Sequence, residues 1–240
     1  MKQPMPYLFD TKKRIIVITG HYGSGKTEFA VNLALALKND EMHCPFKEVS
    51  LVDLDVANPY FRSRERTEIL EASGIQVFGS AYRGEITAEL PALSASIRTP
   101  LENPDCCAIL DIGGNDSGAR VLKQFRKYFQ TEESILLTVI NRNRPETRNL
   151  NGALKHLYAI ETELETEVKG LINNTHLLRE TTAEDIKKGH ELCKALSEKT
   201  GKPIICDTFP EPLVSEQELE FLDTLIFPLQ LYMRPEWLDK

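Results

Sequence analysis

Seven short apolar runs punctuate the chain. Residues 15–19 form the first, which stops at Gly20. Residues 49–52 form the second and end in Asp53, and residues 75–78 follow Ser73-Gly74. The others are residues 108–112, 135–140, 168–172 and 203–205. Each is short enough for a buried strand. Residues 27–38 follow the first run with Phe29, Ala30, Leu33, Ala34 and Leu37 at helical spacing. Residues 62–73, 86–98, 117–129, 146–161 and 182–199 are amphipathic in the same way, and the last stops before Gly201-Lys202-Pro203. Continuous apolar strands alternating with helices predict an α/β fold of three layers. Its mostly parallel sheet of about seven strands is covered by helices on both faces. No repeat, low-complexity tract or linker interrupts the pattern. Residues 1–240 are therefore expected to form a single domain, with 211–240 as a C-terminal segment packed on it.

In such a sheet, ligands sit beyond the carboxyl ends of the strands. The segments at those ends are 21–27, 53–58, 111–117, 141–147, 173–176 and 207–212. Nearly all the unusual residues fall within them, which points to one site.

The first segment carries the sharpest signal. Gly20-His21-Tyr22-Gly23-Ser24-Gly25-Lys26-Thr27 fits GxxxxGK[ST]. Glycines let backbone N–H groups turn inward around phosphate oxygens, and the start of the following helix adds its positive end. Gly20, Gly23, Ser24, Gly25, Lys26, Thr27 and the adjoining Glu28 are the nucleotide-binding candidates. Lys26 reaches the β- and γ-phosphates, and Thr27 offers its hydroxyl to Mg²⁺. A chance match in a glycine-rich turn would lack the flanking strand and helix.

Two further segments extend the site. In AILDIGGNDSGA, Asp111 ends a strand where a Mg²⁺-associated carboxylate belongs, and Gly113-Gly114 let backbone approach the γ-phosphate. In SLVDLDVANP, Asp53 and Asp55 alternate, so on extended chain both side chains point the same way. Taken alone, that stretch also reads as a polar turn before Asn58-Pro59.

Together, GHYGSGKT, VDLDVAN and LDIGG resemble the MinD/ParA branch of P-loop NTPases, the CobQ/CobB/MinD/ParA nucleotide-binding domain, over roughly residues 14–210. The resemblance implies a P-loop NTPase fold with ATP and Mg²⁺ as ligands. It makes Asp55 the residue that orients the attacking water, with Lys26 and Asp53 beside it in catalysis. It makes Thr27, Asp53 and Asp111 the metal-side residues and Gly114 part of the second switch. It also implies that Asn173 or Asn174 contacts adenine and that DTFPEP, with Pro210, closes over the base. One position departs from the pattern: His21 stands where many members carry an early lysine that reaches into a partner's nucleotide. A mostly neutral imidazole cannot supply that charge, so no tight nucleotide-sandwich dimer is expected.

The function implied is a slow Mg²⁺-dependent ATPase that acts as a nucleotide-controlled switch through residues 53–66 and 111–120. A small-molecule kinase, an ATP-dependent ligase or a non-hydrolysing sensor would use the same loops. Adenine is favoured over guanine because NNTH lacks the Lys and Asp of an NKxD segment. Two arginine clusters lie near strand ends. Arg142, Arg144 and Arg148 follow the fifth strand and could serve phosphate charge in cis. Arg62, Arg64 and Arg66 alternate with Glu65 and Glu68 and read as a solvated helix face.

Composition narrows the partners. Of 240 residues, 41% are hydrophobic and 27% charged, as in soluble globular proteins. A net charge of −7 and a pI near 5.4 make a nucleic-acid partner unlikely. No apolar run approaches the roughly 20 residues of a membrane span. The first residues lack a signal-peptide core, so a cytoplasmic protein is expected, with no membrane partner. The five cysteines form no CxxC pair and read as reduced and mostly buried. The five histidines show no metal spacing. The partner is the nucleotide together with an unidentified protein or small-molecule acceptor.

Overall fold

A computed structural model of the chain describes residues 12–39, 44–54, 67–79, 97–113 and 125–233. Its first strand, β1 (Ile15–Gly20), is buried at all six positions. Consecutive buried residues mean that both faces of the strand are covered, which is the condition for a parallel α/β sheet. The helix that follows, α1 (Lys26–Asn39), buries Phe29, Ala30, Val31, Leu33 and Ala34. Next come β2 (Glu48–Asp53), α2 (Thr67–Ala72), β3 (Gln76–Gly79), β4 (Cys106–Asp111), α3 (Arg126–Phe129) and β5 (Ser134–Ile140). The chain continues with α4 (Leu150–Leu164), β6 (Gly170–Asn173), α5 (Ala183–Thr200), β7 (Ile204–Pro210) and β8 (Ile226–Leu229). Among the described residues the sheet has eight strands, in the order β3-β2-β4-β1-β5-β6-β7-β8.

The chain divides into two compact units, one of residues 1–17, 27–135 and 232–240, the other of residues 18–26 and 136–231. In the first unit, β2 pairs in parallel with both β3 and β4. The amide of Ala108 on β4 donates to the carbonyl of Arg14, just ahead of β1, at 2.7 Å. Val49, Leu51 and Val52 of β2 and Ala108, Ile109 and Leu110 of β4 are buried and supply its core.

In the second unit, β5, β6, β7 and β8 form consecutive parallel ladders. Ala153 and Leu157 of α4 pack with Leu192, Cys193 and Leu196 of α5 over Ile140 and Leu171 of the sheet. A second cluster joins Ile186, Phe209, Val214 and Leu219. Helix α5 has strong ends. Thr182 and Asp185 form a capping box at its start, and Gly201, at φ +73°, closes it in the left-handed conformation.

The differences from the sequence reading have local causes. Strand β8 adds an eighth member to the seven expected. It carries Pro228 and ends the sheet, where a missing N–H costs no ladder bond on the open side. Strand β7 runs on to Pro210 instead of ending at residue 205. Helix α4 starts at Leu150, not residue 146, because Pro145–Thr147 is a 3-10 turn and Asn149, extended, caps the helix by accepting from Gly152 N. Of the helix expected over 62–73, residues 67–73 are described, and Thr67–Ala72 are helical. The expected helices 86–98 and 117–129 fall mostly outside them. Among the described residues no helix is long and apolar enough to cross a membrane.

Candidate functional site

Residues 20–25 turn between β1 and α1. Gly23 and Gly25 have φ of +70° and +83°, a region that L side chains rarely enter. Neither has room for a side chain. A Cβ on Gly23 would stand 2.7 Å from Arg144 Cζ, and one on Gly25 would strike the Asn174 amide and lie 3.0 Å from His176 Nε2. Gly20, the last residue of β1, lies equally close to the Val139 carbonyl, 2.7 Å from where its Cβ would be.

Two side chains grip successive carbonyls of this loop. Arg144 Nε donates to the Gly23 carbonyl at 2.6 Å, and Asn174 Nδ2 donates to the Ser24 carbonyl at 2.8 Å. The peptides are trans, so N–H and C=O of each unit point opposite ways. Fixing the Ser24 carbonyl on Asn174 therefore turns the Gly25 N–H to the opposite side of the loop. The Ser24 N–H closes a turn onto the His21 carbonyl at 3.0 Å. Ser24 Oγ is buried and makes no hydrogen bond to any described residue. A buried hydroxyl without a partner is uncommon. An oxygen-rich anion in the loop would satisfy it. Lys26 is buried, 4% exposed, at the start of α1.

The strand ends supply the grips. Asn143 N donates to Asn141 Oδ1 at 2.9 Å and Thr147 Oγ1 to the Asn141 carbonyl at 2.7 Å, which shapes the turn that presents Arg144. Arg142 N donates to Thr175 Oγ1 at 3.0 Å and ties this turn to the end of β6. Thr208 Oγ1 on β7 donates to Asn174 Oδ1 at 2.6 Å, so the Asn174 amide can offer only its Nδ2 hydrogens to Ser24.

The first unit holds the carboxylates. Thr27 Oγ1 donates to Asp111 Oδ2 at 2.5 Å, with both residues buried. Asp53 and Asp111 are register partners on adjacent parallel strands, and Leu54 N donates to the Asp111 carbonyl at 2.9 Å. Two carboxylates and a hydroxyl on neighbouring strand and helix ends are hard oxygen donors, the set that suits Mg²⁺.

Several expected ligands have other duties. Asn173 is fully buried and donates to the Ile186 carbonyl at 3.0 Å and to Asp207 Oδ1 at 2.6 Å, while its own Oδ1 accepts from Thr175 N. With Asn174 holding Ser24, both amides support the protein instead of facing a base. Pro210 is a buried strand residue paired with Leu229, and its carbonyl accepts from Leu213 and Val214 in the turn beyond. It does not form part of an open loop. Glu28 accepts from the backbone N–H groups of Tyr232 and Met233, so its carboxylate is bound to the C-terminal segment and not turned to a phosphate. Asp55 and Gly114 lie outside the described residues. Thr208 escaped the sequence reading because a strand threonine carries no signal of its own. Arg148 is exposed, and Arg142 is half-buried with no side-chain bond to a described residue.

Two histidines adjoin the loop. Burial, and to a smaller degree Arg144 nearby, lowers His176 to a pKa of about 4 and holds it neutral. His156 is also held at about 4, first by burial, then by His21 and Lys26 against an opposing pull from Glu146. The His21 ring stands edge-on to His156 at 5.4 Å, with Nδ1 3.6 Å from Glu146 Oε2.

A mostly parallel sheet flanked by helices, with its glycine loop between the first strand and first helix, defines the P-loop NTPase fold. No protein-family model matches the sequence, nor does any curated protein. Solved structures share the fold. The chain is similar to the cell division protein FtsY of Thermotoga maritima, with a TM-score of 0.52 and 22% identity over 82% of this chain and 66% of that one. It is similar to chloroplast FtsY of Physcomitrella patens, at 0.54 and 18%, over 85% and 60%. It is also similar to the 54 kDa signal recognition particle protein of Aeropyrum pernix in complex with GDP, at 0.54 and 19%, over 85% and 43%. The chain spans less than two thirds of the length of each. At these identities the likeness carries the fold, and it does not reach the MinD/ParA branch.

Proposed function

We propose that this chain binds a nucleoside triphosphate with Mg²⁺, hydrolyses it slowly, and serves as a nucleotide-controlled switch. The observation that carries the reading is the pair of grips on successive carbonyls. Arg144 and Asn174 hold the Gly23 and Ser24 oxygens outward, and the Gly25 N–H and Ser24 hydroxyl remain for an anion. In this reading Lys26 supplies charge to the β- and γ-phosphates. Thr27 and Asp111 hold Mg²⁺, which adds positive charge for the phosphates when bound, and Asp53 supports them from the adjacent strand. Asp55 orients the attacking water and Gly114 approaches the γ-phosphate.

ATP is the nucleotide we propose, because the segment after β6 reads NNTH and has neither the Lys nor the Asp of NKxD. A MinD/ParA kinship is likewise our reading, supported by the three motifs. A neighbour in the fold was solved with GDP, so guanine nucleotides are the rival to include. The test is calorimetric titration with Mg-ATP, Mg-GTP and ADP, followed by phosphate-release assays. Preferential ATP binding with slow turnover is expected. A guanine preference would replace the base assignment, and no binding of either nucleotide would overturn the proposal.

A further inference from the structure

Three arginines follow β5, and only Arg144 lies on the glycine loop. Its backbone is fixed at both ends: its N–H donates to the Asn141 carbonyl at 3.2 Å, and its own carbonyl accepts from Thr147 N at 3.1 Å. Its side chain is fixed near the far end by the Nε bond to Gly23. The guanidinium packs against the bare Cα of Gly23, where a Cβ would stand 2.9 Å from Nη2. That contact gives Gly23 a reason to be glycine beyond its own dihedral angle.

A guanidinium carries five N–H donors. Among the described residues only the Nε donor is engaged, and Nη1 and Nη2 donate to none of them. Four charged donors therefore lie beside Gly23 of the loop, on a side chain whose conformation is already settled. Neighbouring His176 is neutral at physiological pH and does not compete as a cation.

We propose that Arg144 is a catalytic residue supplied in cis, whose Nη groups hold the terminal phosphate as its charge redistributes. The inference rests on the nucleotide reading above. In hydrolysis a water oxygen forms a bond to the terminal phosphorus while the bond from phosphorus to the bridging oxygen breaks. That electron pair stays on the diphosphate. One water proton remains on the phosphate product and the other leaves to solvent. Negative charge shifts across the bridging and terminal oxygens during this step, and a cation set beside them in advance stabilises it without reorganising.

A merely structural arginine would brace the loop and nothing more, so the test separates the two roles. Wild type, Arg144→Ala, Arg144→Lys and the exposed control Arg98→Ala are compared in three ways. These are ADP affinity, ADP affinity with Mg²⁺ and aluminium fluoride as a mimic of the transferring phosphoryl group, and kcat against KM for ATP. Aluminium fluoride should tighten ADP binding in wild type and in the control. Arg144→Ala should lose about 10-fold in ADP affinity with the Gly23 grip, lose the aluminium fluoride tightening on top of that, and lose about 100-fold in kcat. Added guanidinium ion should restore part of that loss, and Arg144→Lys should fall between.

Full tightening and turnover in Arg144→Ala would overturn the proposal. So would an equal loss of ADP and ADP–aluminium fluoride affinity without guanidinium rescue, which marks a brace. Wild type that binds ADP but is not tightened by aluminium fluoride also overturns it and leaves nucleotide binding standing. Wild type that binds no nucleotide takes down both readings.

Discussion

Asn174 holds Ser24 across 150 residues of chain, its Nδ2 on the Ser24 carbonyl at 2.8 Å. The bond reaches from the end of β6 to a loop between β1 and α1. Thr208 fixes the orientation of the same amide from β7. Loop shape therefore depends on β7 through the Asn174 amide.

Asn174→Ala should leave the Ser24 carbonyl buried without its side-chain partner, while the Thr208 hydroxyl keeps the Asn173 carbonyl at 3.1 Å. The cost is expected to be about 1–3 kcal/mol, the range for an unsatisfied buried polar group. Nucleotide affinity should fall at least about 10-fold, because the Gly25 N–H loses its fixed direction. Urea denaturation and calorimetry on the same preparation check both. Wild-type affinity in a stable variant would show that the loop holds its shape unaided.

Removal of the loop charge has a simpler signature. Lys26→Ala should abolish nucleotide binding or weaken it severely while the fold survives, measured by titration with Mg-ATP and by circular dichroism. Unchanged affinity would refute the phosphate role of this loop.

The Thr27–Asp111 pair predicts a metal-specific effect. Thr27→Ala should bind nucleotide in EDTA as wild type does and lose the gain that Mg²⁺ gives. Thr27→Ser should keep that gain, since it retains the hydroxyl. An equal loss with and without Mg²⁺ would assign Thr27 to packing instead.

Acid should destabilise this fold through two rings. His156 and His176 are held near 4, below the ordinary value of 6.5. Between those values the unfolded chain takes up protons at these positions and the folded chain does not. Stability is thus full above pH 6.5, falls as pH drops through the window, and levels off below about 4. Urea unfolding at pH 7 and pH 5 measures the slope, which His156→Gln or His176→Gln should flatten. A slope unchanged in both variants would trace the acid limb to other groups.

His21 bears on assembly. Its ring faces His156 and Glu146 within its own unit. Light scattering should show the same mass with ADP and with a non-hydrolysable ATP analogue. A dimer seen only with the analogue, and lost in His21→Ala, would overturn this.

How much of this was legible in the sequence follows from the range of each interaction. GHYGSGKT announced the loop because glycine, lysine and threonine at fixed spacing are a local demand. Strands such as 15–19 and 135–140 were legible because burial on both faces leaves an unbroken apolar run. Strand β8 was not, since Pro228 argues against a strand except at an open edge, and edges are a property of the finished sheet. The bonds of Asn173, Asn174 and Glu28 within the protein were not legible for a related reason. Each sits where a ligand contact was expected, and each is engaged by a partner far along the chain: Asp207, Ser24 and Tyr232. Sequence proximity to a glycine loop does not reveal which side chains the protein needs for itself.

The Glu28 contact orders events during synthesis. Helix α1 leaves the ribosome early, with a carboxylate in its first turn. Its partners, the N–H groups of Tyr232 and Met233, are made some 200 residues later. A nascent chain can fold its units as they emerge, but this clasp closes only once residues 232 and 233 have been made. Residues 232 and 233 are thereby fastened to the helix that starts in the glycine loop, and a chain cut before them lacks that fastening however well the rest has folded.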